Sequence, residues 1–391
     1  MIESISLQNV LSFGSPEVIL DFKPLTVLIG PNGCGKSNLL EVMYLLSRLP
    51  VTGQEASLPI VDWIWKGAEA GAIARVEVIL KGFDEYKTPF LRHRLEFHSV
   101  AQRFTVHDEL IEAKDKTEPT AVRPFFFFRY DRGSALFATV DHQFGAPKRS
   151  LRREDLDQER SVLSQRNDPE EYPEIAHVRS AYEGIRVYRD INFGPRSPTR
   201  QPQRTDLPVR ALLEDGSNLA LIINRLRNNA TARKRLEELL RRFYEAAEGV
   251  DVEIVGGTAQ IGLFERSWKV PATRLSDGTM RWLALLAILL DPEPPKVVCL
   301  DEPDLGLHPD AIPALADLLE EASQRMQVIV TTHSDELVDS LTDRPESIVV
   351  CEKHEGTTTL QRLQPAELGT WLKEYSLGEL WNSGQIGGRR A

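Results

Sequence analysis

The sequence predicts an α/β fold built on a parallel sheet that holds a nucleotide-binding turn. Three observations lead there. Strands and helices alternate at both ends of the chain. A glycine-containing turn at residues 30–37 joins an apolar strand to a helix, and a second apolar strand ends in two carboxylates at 301–302. Alternation at this spacing implies strands laid side by side through right-handed crossovers.

Residues 2–7 alternate apolar and polar, as a half-buried strand does. Residues 18–20 and 25–29 are short β-branched runs, the second apolar enough to be covered on both faces. The helix expected over 37–48 places Leu39, Leu40, Met43 and Leu46 on one stripe. From about 72 to 145 the pattern is mostly β, clearest at 75–80, with a loop at 114–120. Pro195, Pro198, Pro202 and Pro208 make 195–208 an extended loop. Helices are expected at 217–228 and 231–247. A helix at 279–290, a strand at 296–300, a helix at 310–325, a strand at 327–331, a helix after Ser334 and a strand at 347–351 complete the order. The chain therefore divides into an N-terminal lobe with a β-subdomain (1–145), an inserted basic loop and helical segment (146–250), and a C-terminal lobe (251–391).

Among the 391 residues, 47 Lys and Arg stand against 58 Asp and Glu, a net charge of −11 that excludes a histone-like or polybasic membrane binder. No apolar run reaches the roughly 20 residues that span a bilayer, so no membrane partner is expected. Cys34, Cys299 and Cys351 are too few and too scattered for a disulfide framework or a four-cysteine zinc site. With no basic leader at the N-terminus, a reducing cytoplasmic location is expected.

Gly30-Pro31-Asn32-Gly33-Cys34-Gly35-Lys36-Ser37 fits G-x-x-x-x-G-K-[ST] in the strand–turn–helix context that the pattern requires. Glycines let consecutive amides curl around a phosphate, and the helix N-terminus adds its unpaired N–H groups and positive dipole end. Gly30, Asn32, Gly33, Cys34, Gly35, Lys36, Ser37 and Asn38 are thus candidate nucleotide contacts. Lys36 is placed for the β- and γ-phosphates and Ser37 for Mg²⁺. Cys34 is either a redox sensor beside the phosphates or a small residue tolerated there.

The run 297–303 ends an apolar strand in Asp301 and Glu302. Successive strand side chains face opposite ways, so the two acids differ in task. Asp301 is the candidate Mg²⁺ ligand, through water, and Glu302 the candidate general base for an attacking water. A second apolar strand, 328–332, ends in His333, placed to contact the γ-phosphate or that water.

At this point GPNGCGKS, LSDGT (275–279), VVCLDEPDLGLHP (297–309) and VTTHS (330–334) stand in an order that resembles the ATP-binding-cassette (ABC) ATPases of the SMC, RecF and OLD-like branch. The resemblance is strongest to short AAA family ATPases of that branch, which share LEDGSNLA (213–220) and YSLGELWNSGQIGG (375–388). It implies an ABC-type P-loop ATPase that hydrolyses ATP with Mg²⁺ and dimerises, the signature segment of one subunit closing over ATP on the P-loop of the other. Ser276 and Gly278, at a helix N-terminus with no phosphate of its own in this chain, are the candidate trans contacts. The departures from LSGGQ leave Asp277, expected to point away and cap the helix. The Gln-bearing loop of transporters has no clear counterpart; Gln143 and Gln165 lie in plausible territory. His308 is assigned an interface role.

Residues 148–247 hold 20 basic against 16 acidic residues. Two readings of Lys148, Arg149, Arg152, Arg153, Arg196, Arg200, Arg204, Arg210, Arg233, Lys234, Arg235, Arg241 and Arg242 stand open: a DNA- or RNA-facing surface, or a solvated surface with interspersed acids. One or two of Arg186, Arg196 and Arg200 could reach the nucleotide instead. The insertion is too short for a long coiled coil. The tail around 377–388 docks on its own core or on a partner. No acidic-cluster nuclease domain follows the last strand. The expectation is an ATPase dimer in DNA transactions, repair or anti-phage defence; the alternative is an ATP-gated module holding a separate effector, such as a nuclease or toxin.

Overall fold

The computed structural model describes residues 1–51, 62–69, 71–83, 88–100, 103–115, 124–131, 133–141, 148–266, 268–369 and 371–387. A six-stranded sheet runs β10 (Ile185–Tyr188), β15 (Val297–Asp301), β16 (Gln327–Thr331), β3 (Leu25–Ile29), β17 (Ile348–His354) and β18 (Thr357–Arg362). All neighbours pair parallel except the β17–β18 hairpin. β3 and β16 are buried at every position, which explains their unbroken apolar sequences. Along β3, Val27 joins the core on one face and Leu28 the core on the other.

The second sheet is antiparallel, built from β1 (Ile2–Gln8), β2 (Val18–Asp21), β4 (Ala74–Phe83), β5 (Thr88–Val100), β6 (Arg103–Ala113), β7 (Phe126–Asp131), β8 (Ser134–Asp141) and β9 (Lys148–Glu154), in the order β2-β1-β4-β5-β6-β7-β8-β9. A third, smaller sheet joins β11 (Gln203–Arg204), β12 (Ala247–Val255), β13 (Thr258–Glu265) and β14 (Trp268–Pro271). Helices α1 (Lys36–Arg48), α2 (Val162–Gln165) and α3 (Pro173–Glu183) pack between the first two sheets. On the opposite face lie α4 (Leu219–Asn228), α5 (Ala230–Phe243), α6 (Asp277–Leu289), α7 (Ile312–Ser323), α8 (Asp335–Asp339), α9 (Pro365–Leu368) and α10 (Leu377–Asn382). Buried Gln327 stitches the sheets together: its side chain accepts from the Ile2 N–H (3.2 Å) and donates to the Ile2 carbonyl (2.9 Å).

The segment 146–250 is not a separate insertion. It supplies β9 to the antiparallel sheet and β10 to the parallel sheet, directly beside the strand that ends in Asp301. Four residues are too few to show a period, so β10 is silent in the sequence. The tail docks on its own chain. Leu377, Leu380 and Trp381 are buried, the Gly378 N–H donates to Asp339 (2.6 Å), and Asn382 donates to Asp335 (2.8 Å), so α10 is fastened to α8. Gln143 and Gly388 lie outside the described residues.

Candidate functional site

The turn at residues 30–37 sits between central β3 and α1, at the carboxyl edge of the parallel strands. Gly30, Gly33 and Gly35 all take positive φ (145°, 73° and 115°), which bends the backbone into a concave row of amides. A Cβ on Gly30 would lie 2.1 Å from the Cys351 carbonyl oxygen, so the loop rests directly on β17. Lys36 is buried, and its ammonium donates to the carbonyls of Gly30 (2.8 Å) and Pro31 (3.1 Å). Asn32 and Ser37 are exposed and Asn38 partly so. Cys34 is buried, and a hydrogen bond from Cys351, helped by nearby Lys36, draws its thiol down to about 6 against the opposing effect of burial.

Two strands away, Asp301 ends β15, and the Thr331 hydroxyl of adjacent β16 donates to its carboxylate. Glu302 takes φ 46°, a left-handed conformation rare outside glycine, and its N–H donates to the carbonyl and hydroxyl of Thr331, each at 3.1 Å. That bend swings the Glu302 side chain toward the end of the neighbouring strand, where His333 Nε2 lies 3.6 Å from Glu302 Oε1. The following loop is braced by the Thr332 hydroxyl donating to Asp304 (2.6 Å), while burial raises the Asp304 carboxyl above its ordinary range. Among the described residues no cluster of three or more His, Cys, Asp or Glu could hold a metal. One hydroxyl (Ser37) and one carboxylate (Asp301) fit an ion that takes its other ligands from water and phosphate, as Mg²⁺ does.

The signature segment sits elsewhere. Ser276 is exposed and caps α6, accepting from the Thr279 N–H (3.1 Å). It is therefore Ser276, not Asp277, that caps this helix: the capping position precedes the first helical residue, and Asp277 already lies inside the first turn. The Asp277 carboxylate accepts instead from Arg200. Arg200 is buried and also donates to the carbonyls of Phe193 and Ala272 (2.7 Å each) and of Leu275 (2.5 Å). It buttresses the signature loop rather than reaching the turn at residue 30. A Cβ on Gly278 would lie 3.1 Å from the Gly306 carbonyl, so signature and post-Asp301 loop form one ridge, which Leu305 extends as an exposed side chain. His308 is exposed beside that ridge and caps the next turn through Asp310.

Other candidates have partners away from the phosphate loop. Gln165 spends its amide on Asp157, Arg160 and Ser161 and has no link to the site. The loop leaving β10 beside Asp301 begins with Arg189, Asp190 and Asn192, and its glutamine, Gln201, donates to the Pro195 carbonyl (3.4 Å). Many of the basic residues are engaged by acids of the same chain. Arg149 pairs with Glu174, Arg152 with Glu171, Arg204 with Asp206, Arg233 with Glu237, Arg235 with Glu238 and Glu321, and Arg242 with Asp317. Thr331 and Thr332 have no role in the sequence reading, and Arg200, a candidate there to reach the nucleotide, braces the signature loop instead. The two threonines stood in plain sight before His333, whereas nothing local distinguishes Arg200 from its neighbours.

A glycine turn on the central strand, an acid-tipped strand two places away and a signature packed on the loop after that acid define an ABC-type P-loop ATPase with the fold of an SMC head. Residues 25–339 match the family described as "AAA domain, putative AbiEii toxin, Type IV TA system", and the chain belongs to that family. Among solved structures, an SMC head bound to the C-winged helix domain of ScpA superposes with TM-score 0.58 at 16% identity, over 94% of this chain and 99% of that one. An SMC head with an extended coiled coil bound to the C-terminal domain of ScpA, from Pyrococcus furiosus, gives 0.56 at 15%, over 95% and 98%. Curated relatives match locally. The energy-coupling factor transporter ATP-binding protein EcfA2 of Lactococcus lactis subsp. cremoris is 35% identical over 94 residues, 24% of this chain and 31% of that protein. ABC transporter A family member 12 of Arabidopsis thaliana is 40% identical over 74 residues, 19% and 8% respectively. The chain thus spans less than a third of these curated relatives. Among the described residues no helix is long and apolar enough to cross a membrane.

Proposed function

We propose that the protein is a Mg²⁺-dependent ATPase that dimerises around two ATP molecules. The observation behind this reading is that the contacts of the signature run to its own helix, to Arg200 and to the loop after Asp301 rather than to the phosphate loop. Ser276 and Gly278 have their neighbours at Thr279 and Gly306, while the amide cradle lies at the edge of β3. A helix N-terminus with exposed amides is an anion site, and one cradle and one signature per chain make two complete sites only in a two-fold pair. The loops around Gly306 and His308 would then meet the partner subunit.

In this reading the amides of residues 33–38 hold the β-phosphate, and Lys36 turns from its two carbonyls to the β- and γ-phosphates. Ser37 and Asp301 would hold Mg²⁺, which when bound would supply positive charge beside the phosphoryl oxygens. Glu302 orients and deprotonates the attacking water, and His333, within reach of Glu302, registers whether the γ-phosphate is present. ATP joins the subunits and hydrolysis frees them.

Of the two downstream roles, control of a separate effector fits better than direct DNA binding, because the candidate DNA-facing arginines are mostly engaged by acids of the same chain. The structural neighbours crystallised with a ScpA domain, and a family named for a toxin system, favour the same choice. The setting we propose is DNA repair or anti-phage defence, with a nuclease or toxin as the effector. Size measurement of Glu302→Gln protein with and without Mg·ATP tests the central claim. Doubling of mass on ATP addition is expected; a mass that stays unchanged at saturating ATP removes the dimer. Ser276→Arg should block that doubling, and mixing it with Lys36→Ala chains should rescue one composite site per pair.

A further inference from the structure

The phosphate loop rests on two hydroxyls that belong to no recognised motif. Thr358, on β18, is fully buried, and its hydroxyl lies 2.7 Å from the Cys34 carbonyl oxygen and 2.7 Å from the Ser12 hydroxyl. The Thr358 N–H donates to the Ser12 carbonyl (2.8 Å), which fixes the pair in register. The Cys351 thiol donates weakly to the same Cys34 oxygen (3.3 Å). The hairpin that carries Thr358 is pinned at its turn by the Trp65 indole N–H, donating to the Gly356 carbonyl (3.2 Å). Ser12, Cys34 and Thr358 are thus brought together from three distant parts of the chain.

Contact is close enough to dictate the loop's sequence. A Cβ on Gly35 would lie 2.2 Å from Thr358 Oγ1 and 2.7 Å from Ser12 Oγ, and Gly35 already sits at φ 115°. No side chain fits between loop and hydroxyls. The other carbonyls of the loop are directed elsewhere: those of Gly30 and Pro31 accept from Lys36, and that of Gly35 accepts from the Leu39 N–H (3.2 Å).

We infer that Thr358 is a positioning residue for phosphate binding, with Ser12 as its support. A trans peptide sends its N–H opposite to its C=O. Holding the Cys34 oxygen down onto Thr358 therefore turns the Gly35 N–H away from β18 and into the cradle, where it points at the bound phosphate. Without that hold the 34–35 peptide is free to rotate, and the amide must be oriented at the ligand's expense. The inference rests on the nucleotide reading of this loop and adds residues that the motif does not contain.

The test measures ATP and ADP affinity by titration calorimetry, and steady-state turnover, for the wild type, Thr358→Val, Thr358→Ser, Ser12→Ala and Lys36→Ala. Thr358→Val keeps the shape and removes the hydroxyl, so affinity for both nucleotides should fall about tenfold, the equivalent of about 1.4 kcal/mol. Turnover at saturation should stay within about twofold, since the chemistry lies at the γ-phosphate. Thr358→Ser, which restores the hydroxyl, should recover the affinity. If Thr358→Val binds like the wild type while Lys36→Ala loses binding, the positioning role is overturned and the nucleotide reading survives. If Lys36→Ala also binds normally, the nucleotide reading itself falls. Should Thr358→Val not fold, Ser12→Ala carries the test: a loss of about threefold or more supports the role and an unchanged affinity overturns it.

Discussion

His333 Nε2 and Glu302 Oε1 stand 3.6 Å apart at the tips of adjacent parallel strands, brought together by a left-handed backbone at Glu302. Neither side chain is fully buried, so a water or a phosphate can approach both from the open side. Glu302→Gln preserves shape and hydrogen bonding while removing the base. Turnover should fall by about 10² or more while ATP affinity stays within threefold of wild type. A Gln variant hydrolysing at the wild-type rate would falsify the base assignment.

Arg200 and Asp277 form an unequal pair. Arg200 is buried and holds three backbone carbonyls; the Asp277 side chain is 72% exposed. Arg200→Ala should cost about 3 kcal/mol in chemical denaturation, because the carbonyls of Phe193, Ala272 and Leu275 lose their donor. Asp277→Asn should cost well under about 1 kcal/mol. Equal losses for the two variants would show that the ion pair, not the carbonyl clamp, holds the signature loop.

The clasp between α10 and α8 is open to a single methyl. A Cβ on Gly378 would lie 2.4 Å from Asp339 Oδ1 and 2.9 Å from the Asp335 carbonyl. Gly378→Ala should lift α10 and speed hydrogen exchange in α8, the helix that begins two residues after His333. The measurement is exchange followed by mass spectrometry. Unaltered protection across 335–339 would mean that the tail merely rests on the core.

Cys34 has a pH signature. Its thiol is drawn to about 6 by the hydrogen bond from Cys351 and by Lys36, whereas burial pushes the Cys299 thiol up. Cys34 therefore passes to thiolate at lower pH than an ordinary thiol, so its labelling by a small haloacetamide, once the buried loop opens, should accelerate earlier in a pH series than that of a free cysteine. Cys299 should stay unlabelled, and Mg·ATP should protect Cys34. A Cys34 labelling midpoint above pH 8 contradicts the assigned environment.

What could be read from the chain alone follows from how local each signal is. The cradle, the 297–302 strand and the 327–331 strand are continuous runs whose chemistry is written in adjacent letters, and the parallel sheet follows from them. β10 was hidden because four residues carry no period, although it lies beside the strand of Asp301. The role of Arg200 and the whole of Thr358 were hidden for another reason: Arg200 clamps Leu275 from 75 residues away and Thr358 holds Cys34 from 324, and no local pattern marks an arginine or threonine for such use. The basic stretch left two readings open because charge counts ignore pairing, and helix α5 places Glu237 and Glu238 against its own arginines.

Strand β3, finished by residue 29, finds both neighbours only in β16 and β17, made by residues 327–331 and 348–354. During synthesis at about 5–20 residues per second, its apolar edges therefore stay unpaired for tens of seconds after emerging from the ribosome. Nascent chains halted before residue 348 should be the natural clients of holding chaperones, and only a chain that has already made β17 can become competent to bind.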